Sequence, residues 1–205
     1  MLKIERMTTG PIQVNTYLIQ DADTGACAIV DPGGQAGEIL RRLPRKPELI
    51  LLTHGHIDHI GAVAQLARAT GARVLLGQAD LPAARDGQVN LAAMMGLPFE
   101  PFQAQPYGES VALGATRLTV IPTPGHTPGG VCLFDGAHLF CGDTLFAGGV
   151  GRTDFPGGSF ADLRGSILRL YALPGDPAAL PGHGPQTTLQ AERRGNPYVR
   201  EGEEP

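Results

Sequence analysis

The stretch that decides the fold is Leu49-Ile50-Leu51-Leu52-Thr53-His54-Gly55-His56-Ile57-Asp58-His59-Ile60-Gly61. Its apolar start predicts a buried strand, because it is too short to cross a membrane as a helix. The residues after Gly61 have helical composition and an apolar face, so the polar part lies on a strand-to-helix loop, where rigid scaffolds often carry function. Three imidazoles and one carboxylate in so short a loop are costly to bury without a partner that binds them. A divalent metal ion is the obvious candidate for that partner.

The alternative is a solvated polar loop with incidental histidines, and the distribution of histidine argues against it. The chain has 6 His in all, and three of them fall in this loop. Two more, His126 and His183, lie in short loops framed by Gly and Pro. His138 follows a predicted hairpin turn at Asp135-Gly136 and is interpreted as a surface residue.

Three later segments repeat one pattern, in which a strand-like run ends and a ligand-type residue follows in a Gly-framed loop. The runs 117–121, 138–141 and 178–180 lead to His126, Asp143 and His183. Glycine lets the backbone turn sharply, so each side chain can point off its strand end toward a shared point. Each loop alone is a weak signal, but together with the first loop they supply seven ligand-type side chains.

Hydrophobic patterning predicts the remaining elements. Strands are predicted over 2–8, 14–20, 26–30, 49–52, 73–76, 117–121, 138–141 and 178–180, and helices over 35–43, 61–68, 160–172 and 187–195. The irregular region 77–108 has apolar side chains that either line a substrate pocket or belong to the ordinary core. Asp31, at the end of the third strand, is either a surface turn residue or a carboxylate that orients the metal loop.

Composition excludes several function classes. At 205 residues the chain predicts one domain. The net charge of -4 and the lack of a basic run argue against nucleic acid and anionic membranes as partners. The 3 Cys lie in apolar runs, as buried free thiols in a reducing compartment would, and the N-terminus has no stretch of signal-peptide length. A cytoplasmic location is expected.

The donor set predicts a dinuclear metal site. Five imidazoles and two carboxylates are too many for one tetrahedral zinc, but they suit two metals roughly 3.5–4 Å apart with one carboxylate bridging. Mixed nitrogen and oxygen donors favour zinc, with iron or manganese as alternatives. Two divalent ions against two carboxylates leave a net positive site, which lowers the pKa of bridging water and stabilises an oxyanion. Such a site is built for hydrolysis.

With the Asp31 turn, the HxHxDH loop and then His126, Asp143 and His183 in this order, the chain resembles the metallo-beta-lactamase superfamily from end to end. This resemblance implies an α+β fold, a four-layer αββα sandwich of two mixed sheets with helices on the outer faces. It also implies the ligand roles: His54, His56 and His126 for the first metal; Asp58, His59 and His183 for the second; and Asp143 as the bridge.

Within the superfamily, the chain is most similar to the short glyoxalase II-like (hydroxyacylglutathione hydrolase) enzymes. The matching stretches are Gly142–Phe146, Gly151–Gly158 and Gly182–Thr188. In glyoxalase II, a basic residue at the position of Arg152 holds a glutathione carboxylate. The structural alternative is an Arg152 that pairs with Asp154 or Asp162. The C-terminal helical domain of full-length glyoxalase II, which supplies further contacts to glutathione, has no counterpart here. A single domain over 1–205 that lacks most of these glutathione contacts is therefore expected.

The resemblance implies a metal-dependent thioester hydrolase acting on a small molecule of the S-acylglutathione type through a metal-bridging hydroxide, which Asp58 would orient while also binding metal. The alternative is a persulfide dioxygenase on the same fold, which would use one iron held by His54, His126 and Asp143. True β-lactamases usually lack a histidine where His59 stands.

Overall fold

The computed structural model describes residues 1–200 and residue 202, and its first half forms a six-stranded sheet. The strands follow chain order: β1 (Leu2–Thr9), β2 (Val14–Asp21), β3 (Cys27–Val30), β4 (Leu49–Leu51), β5 (Arg73–Leu76) and β6 (Gln105–Pro106). The first three pair antiparallel, and β3 to β6 pair parallel. Strands β3 and β4 are buried along their whole length, as apolar runs in a parallel sheet are.

The second half forms another six-stranded sheet, in the order β14-β13-β10-β9-β8-β7. Its strands are β7 (Ser110–Leu113), β8 (Thr116–Pro122), β9 (Val131–Phe134), β10 (His138–Gly142), β13 (Ala178–Pro181) and β14 (Thr187–Thr188). Only β10 and β13 pair parallel. A separate small hairpin joins β11 (Leu145–Phe146) to β12 (Gly149–Val150).

Helices cover the outer faces of both sheets. They are α1 (Ala36–Arg42), α2 (Ile57–Ile60), α3 (Val63–Thr70), α4 (Ala92–Met95), α5 (Phe160–Tyr171) and α6 (Leu189–Gly195), with a 3₁₀ helix at Gln78–Ala84. One apolar cluster lies between the sheets, a second joins the first sheet to α1 and α3, and a third joins the second sheet to α5 and α6. The expected αββα sandwich is confirmed.

The predicted strands and helices are present, with end shifts of a few residues, and the structure adds several elements that were not predicted. Residues 57–60, expected as loop, form the short helix α2, because His56 turns the chain from extended backbone into a helical turn and its carbonyl accepts from the His59 amide. Several short elements had no predicted counterpart: strands β6, β7, β9, β11 and β12, helix α4 and the 3₁₀ helix. Residues 187–188, expected as the start of the last helix, form strand β14 instead. In the irregular region 77–108, Phe102 belongs to the core, whereas Met95 packs against the core and also lines the cavity described below.

Two further features of the fold concern the cysteines and the helices. Cys27, Cys132 and Cys141 are buried free thiols, as expected. Across residues 1–200 and 202, we find no helix with the length and apolar character needed to cross a bilayer.

Candidate metal centre

The histidine loop places four ligand-type side chains at the end of β4. His54 and His56 lie on the segment between β4 and α2, with His56 in extended backbone, and Asp58 and His59 lie on the first turn of α2. All four are buried, and His59 is 0% exposed. The change from extended backbone to helical turn aims side chains of adjacent residues into the same space, which neither element alone could do.

The three later loops bring their side chains to the same place. His126 follows β8, Asp143 follows β10 directly, and His183 follows β13. Gly142, immediately before Asp143, has a φ of 46°, in the left-handed region that favours glycine. His138 lies apart from this cluster and contacts Asp135 Oδ2 at 3.0 Å in the β9–β10 turn.

The geometry of the cluster is compatible with metal binding. Its ligand atoms form three groups, each with atoms within 4.8 Å of one another: His54, His56 and His126; His54, His59 and Asp143; and Asp58, His59 and His183. Four buried atoms of the cluster have no hydrogen-bond partner: Nε2 of His54, His59 and His126, and Oδ1 of Asp143. Buried polar atoms without partners are costly, so their convergence fits divalent cations. We call the first of these groups the imidazole half and the last the carboxylate half.

Hydrogen bonds at Nδ1, the ring nitrogen that faces away from the cluster, fix the orientation of three histidine rings. His126 Nδ1 donates to the Arg152 carbonyl at 2.7 Å, and His59 Nδ1 donates to Asp31 Oδ2 at 3.0 Å. His54 Nδ1 lies 3.1 Å from Thr53 Oγ1. With Nδ1 engaged, each ring presents Nε2 to the cluster, which is how metal-binding histidines are oriented.

Asp31 is the hub of this support. It is 1% exposed, and its carboxylate accepts from the Thr53 amide at 2.8 Å, from Thr53 Oγ1 at 2.6 Å and from His59. Asp31 therefore contacts the strand end before the histidine loop as well as a ring within it. Its φ of 50° is unusual for a residue other than glycine, and this strain is held by the three contacts.

The two halves differ in electrostatics. Burial lowers the pKa of His54 well below its ordinary value and that of His56 to about 3, and neighbouring imidazoles add to the effect. Burial also acts on His59, but the Asp143, Asp58 and Asp31 carboxylates outweigh it and raise the pKa of His59. Burial lowers the pKa of His183, but its hydrogen bond with Asp58 has the larger opposite effect together with nearby carboxylates, so the pKa of His183 is raised. Burial raises the pKa of Asp58 and Asp143, but nearby imidazoles outweigh this effect and lower the pKa of both carboxyls.

A cavity of about 320 Å³ opens onto the centre. Its lining combines ligand side chains with mostly apolar neighbours: Ile12, His56, Asp58, Met95, His126, Asp143, Phe146, Arg152, Phe155 and His183. The Arg152 guanidinium makes two contacts of 2.6 Å with Asp154 and lies 4.0 Å from the Phe155 ring centroid. Of the two carboxylates expected as structural partners for Arg152, Asp154 is the one that it contacts.

Two residues that support the His183 loop were not predicted from the sequence. Asn15 Nδ2 donates to the carbonyls of Pro181 at 3.0 Å and Gly184 at 2.9 Å, and the Tyr17 hydroxyl donates to Pro181 at 2.7 Å. Strand β2 of the first sheet thus fixes the loop of the second sheet that carries His183. No local signal could have revealed this, because both residues lie in an ordinary strand pattern and their partners are distant along the chain.

The comparisons with known proteins agree with this geometry. The family description "Metallo-beta-lactamase superfamily" matches residues 9–183. The chain belongs to this superfamily. A metallo-beta-lactamase superfamily member with histidine and aspartate groups arranged in this way is, at the level of class, a metal-dependent hydrolase.

Similarity to individual superfamily members extends over nearly the whole chain. The hydroxyacylglutathione hydrolase GloC of Haemophilus influenzae is 36% identical over 97% of this chain and 98% of its own. The structure of BLEG-1 B3 metallo-beta-lactamase has a TM-score of 0.89 and 35% identity, covering 97% of this chain and 99% of that one. The structure of TTHA1623 in a di-iron-bound form has a TM-score of 0.85 and 40% identity, covering 95% and 100%.

Proposed function

We propose that the protein is a dinuclear metal-dependent hydrolase that cleaves a small-molecule thioester of the S-acylglutathione type. The observation that carries this proposal is the convergence of five imidazoles and two carboxylates in two adjoining halves, with four of their atoms lacking any hydrogen-bond partner. The similarity to GloC supports the thioester class, since that relative is a hydroxyacylglutathione hydrolase over the same length of chain.

In this proposal each half holds one divalent ion. His54, His56 and His126 bind the first, Asp58, His59 and His183 bind the second, and Asp143, whose oxygens lie 3.3 Å from His59 Nε2 and 3.6 Å from His126 Nε2, lies between them. Two bound ions supply a hydroxide nucleophile near neutral pH and a positive centre for the developing oxyanion. Nitrogen and oxygen donors without thiolate favour zinc, and the di-iron form of TTHA1623 supports iron as an alternative, with manganese also compatible.

We assign Asp58 a double role, as a metal ligand and as the group that orients the nucleophile. Asp58 Oδ2 lies 3.1 Å from His183 Nε2, and the residue lines the cavity. Its lowered pKa keeps the carboxylate ionised at neutral pH. An ionised carboxylate at the cavity wall can accept a hydrogen bond from the nucleophile and keep it directed at the substrate carbonyl.

Arg152 is proposed as the substrate-binding residue at the mouth. Its Nε and one Nη atom contact Asp154, and the fork geometry of the guanidinium leaves the other Nη to contact a carboxylate of the thiol carrier. Ile12, Met95 and Phe155 offer apolar contact to the uncharged part of the substrate. We further propose that residues 1–205 form a single domain that acts on a small molecule in the cytoplasm rather than on nucleic acid or a membrane.

A second candidate, β-lactam hydrolysis, is favoured by the similarity to BLEG-1 over almost the full length of both chains. The similarity to the hydroxyacylglutathione hydrolase GloC, over nearly the full length of both chains, supports the thioester instead. The persulfide dioxygenase alternative would use only His54, His126 and Asp143, and would leave the carboxylate half without a metal.

One set of assays tests the proposal. The purified protein is analysed for bound metal and given S-lactoylglutathione, a chromogenic cephalosporin, or glutathione persulfide with an oxygen electrode. We expect about two metals per chain and thioester cleavage that a chelator abolishes and added zinc restores. Cephalosporin cleavage without thioester cleavage would favour the second candidate. Oxygen consumption with a single iron would contradict both.

A further inference from the structure

Asp80 is a buried carboxylate outside the ligand set that contacts both loops of the imidazole half. It lies on the 3₁₀ helix Gln78–Ala84 and is 5% exposed. Its Oδ2 accepts from the Gly55 amide at 2.9 Å and from Thr127 Oγ1 at 2.8 Å. Its Oδ1 accepts from the Gly129 amide at 2.7 Å.

These three partners flank the three histidines of the imidazole half. Gly55 separates His54 from His56, and Thr127 follows His126 directly. The first loop leaves the first sheet after β4, and the second leaves the second sheet after β8. A single carboxylate therefore joins two loops that come from different sheets and that hold no ligand residue in common.

The glycines at the contact points show how closely the 3₁₀ helix approaches both loops. A side chain at Gly55 would come within 2.5 Å of Ala83 Cβ, and one at Gly129 within 2.6 Å of Asp80 Oδ1. Such contacts are too short for any real Cβ atom. The absence of a side chain at these two positions lets the backbone amides reach the carboxylate, so the glycines and Asp80 form one arrangement.

The chemistry of the contacts requires a carboxylate. Both amides are obligatory donors and donate to opposite oxygens, so both oxygens must accept. An asparagine would place its amide group against Gly129 N–H on one side, or against Gly55 N–H on the other. Burial raises the pKa of the Asp80 carboxyl, while the contacts with Thr127, Gly129 and Gly55 oppose that rise. Breaking a buried arrangement of this kind leaves donors without partners.

We propose that Asp80 is a positioning residue for the imidazole half, fixing the distance between the His54–His56 segment and His126 so that three Nε2 or Nδ1 atoms meet at one point. This inference rests on the proposed metal centre but not on the thioester substrate. Its consequence is selective: loss of Asp80 weakens metal binding at the imidazole half and spares the carboxylate half, whose His59 is held by Asp31 instead.

The test is the metal affinity of Asp80→Asn, measured by titrating metal-free protein with Zn²⁺ against a chromogenic chelator. We expect one of the two sites to weaken by about 10- to 100-fold, the usual effect of losing a group that orients metal ligands. The same change in a His183→Ala background, where the carboxylate half is incomplete, assigns the weakened site. There the remaining tight site should weaken by the same factor.

The matched control is Asp135→Asn, which changes a half-buried carboxylate that also has three contacts, in the β9–β10 turn. It should leave both affinities unchanged. Unchanged affinities in Asp80→Asn, or an equal loss at both sites, would overturn the inference. If Asp80→Asn does not fold by circular dichroism, Thr127→Val removes one of the three contacts, and a selective loss of a few fold is expected; no loss would overturn it. Wild-type protein that binds no metal would refute the metal centre itself.

Discussion

The imidazole half and the carboxylate half are adjacent, but they are built in opposite ways. The first contains three buried imidazoles and no carboxylate, and the pKa values of His54 and His56 are lowered. The second contains Asp58 and two histidines whose pKa values are raised by carboxylates. Exposure differs too, since the His183 side chain of the second half is 26% exposed, whereas His54, His56 and His126 of the first half are all buried.

This difference means that His54 and His56 differ in protonation state from the histidines of the second half before a metal binds. In the first half, burial favours the neutral form of His54 and His56, so these two imidazoles can bind a cation without first losing a proton. Histidines paired with carboxylates in the second half must lose a proton to bind, so protons and metal compete there. The first half depends on the precise placement of its loops, and the second depends on the balance of charge.

The largest effect is expected from Gly182→Ala. A methyl group at residue 182 would overlap Asp143 Oδ1 and would lie 2.5 Å from His59 Cε1, so the His183 loop must move away from the carboxylate half. A displacement of about 1 Å at a reacting centre can cost on the order of 100-fold in rate. We expect at least that loss in kcat and the loss of one metal, measured by steady-state kinetics and elemental analysis.

Gly108→Ala is the matched control for that change, because nothing lies within 4 Å of the methyl group it adds. It should keep both metals and its full rate. Equal loss in the two variants would show that the effect is not local to the carboxylate half.

The next effect tests Asp31, which supports the ring of His59. Asp31→Asn replaces a carboxylate that accepts three hydrogen bonds with an amide that can accept on one side only. Metal affinity at the carboxylate half should fall by about 10- to 100-fold. Asp21→Asn, at the far end of β2, changes another buried aspartate with contacts to Thr24 and Thr116 and should leave metal binding alone. An unaltered affinity in Asp31→Asn would refute this role.

Lowering the pH should remove metal from the two halves at different pH values, which is a smaller effect than those of the substitutions above. Because the pKa values of His59 and His183 are raised, protons begin to displace metal from the carboxylate half at a higher pH than from the imidazole half, where the pKa of His56 is about 3. Metal content measured after equilibration at decreasing pH should therefore fall in two steps, with the carboxylate half emptied first. A single step that removes both ions together would show that the halves do not differ in this way.

The smallest effect is expected at the mouth. His126 is held by the main-chain carbonyl of Arg152, so Arg152→Ala removes the exposed side chain and keeps that contact. Metal content should stay the same, while KM for S-lactoylglutathione should rise by a few fold. Asp154→Ala is the companion variant, because it frees the guanidinium, and it should not raise KM. A loss of metal in Arg152→Ala would mean that the side chain supports the centre.

Much of the fold could be predicted because its signals are local. The run before His54 predicted β4, and the Gly-framed loops predicted where His126 and His183 leave their strands. The supporting residues could not be predicted. Asn15 and Asp80 each act on segments far away in the sequence, and nothing in their neighbours marks them. Sequence patterns reveal which residues can bind metal, whereas the groups that position them emerge only from long-range packing.

The central claim is that two ions occupy two distinct halves, and the metal content of His59→Ala tests it most directly. Elemental analysis of the wild-type protein should give about two metals per chain. The variant should keep one, in the imidazole half, and lose most thioester hydrolysis. A wild-type protein with a single ion, or a variant that keeps both ions and full activity, would contradict the dinuclear arrangement.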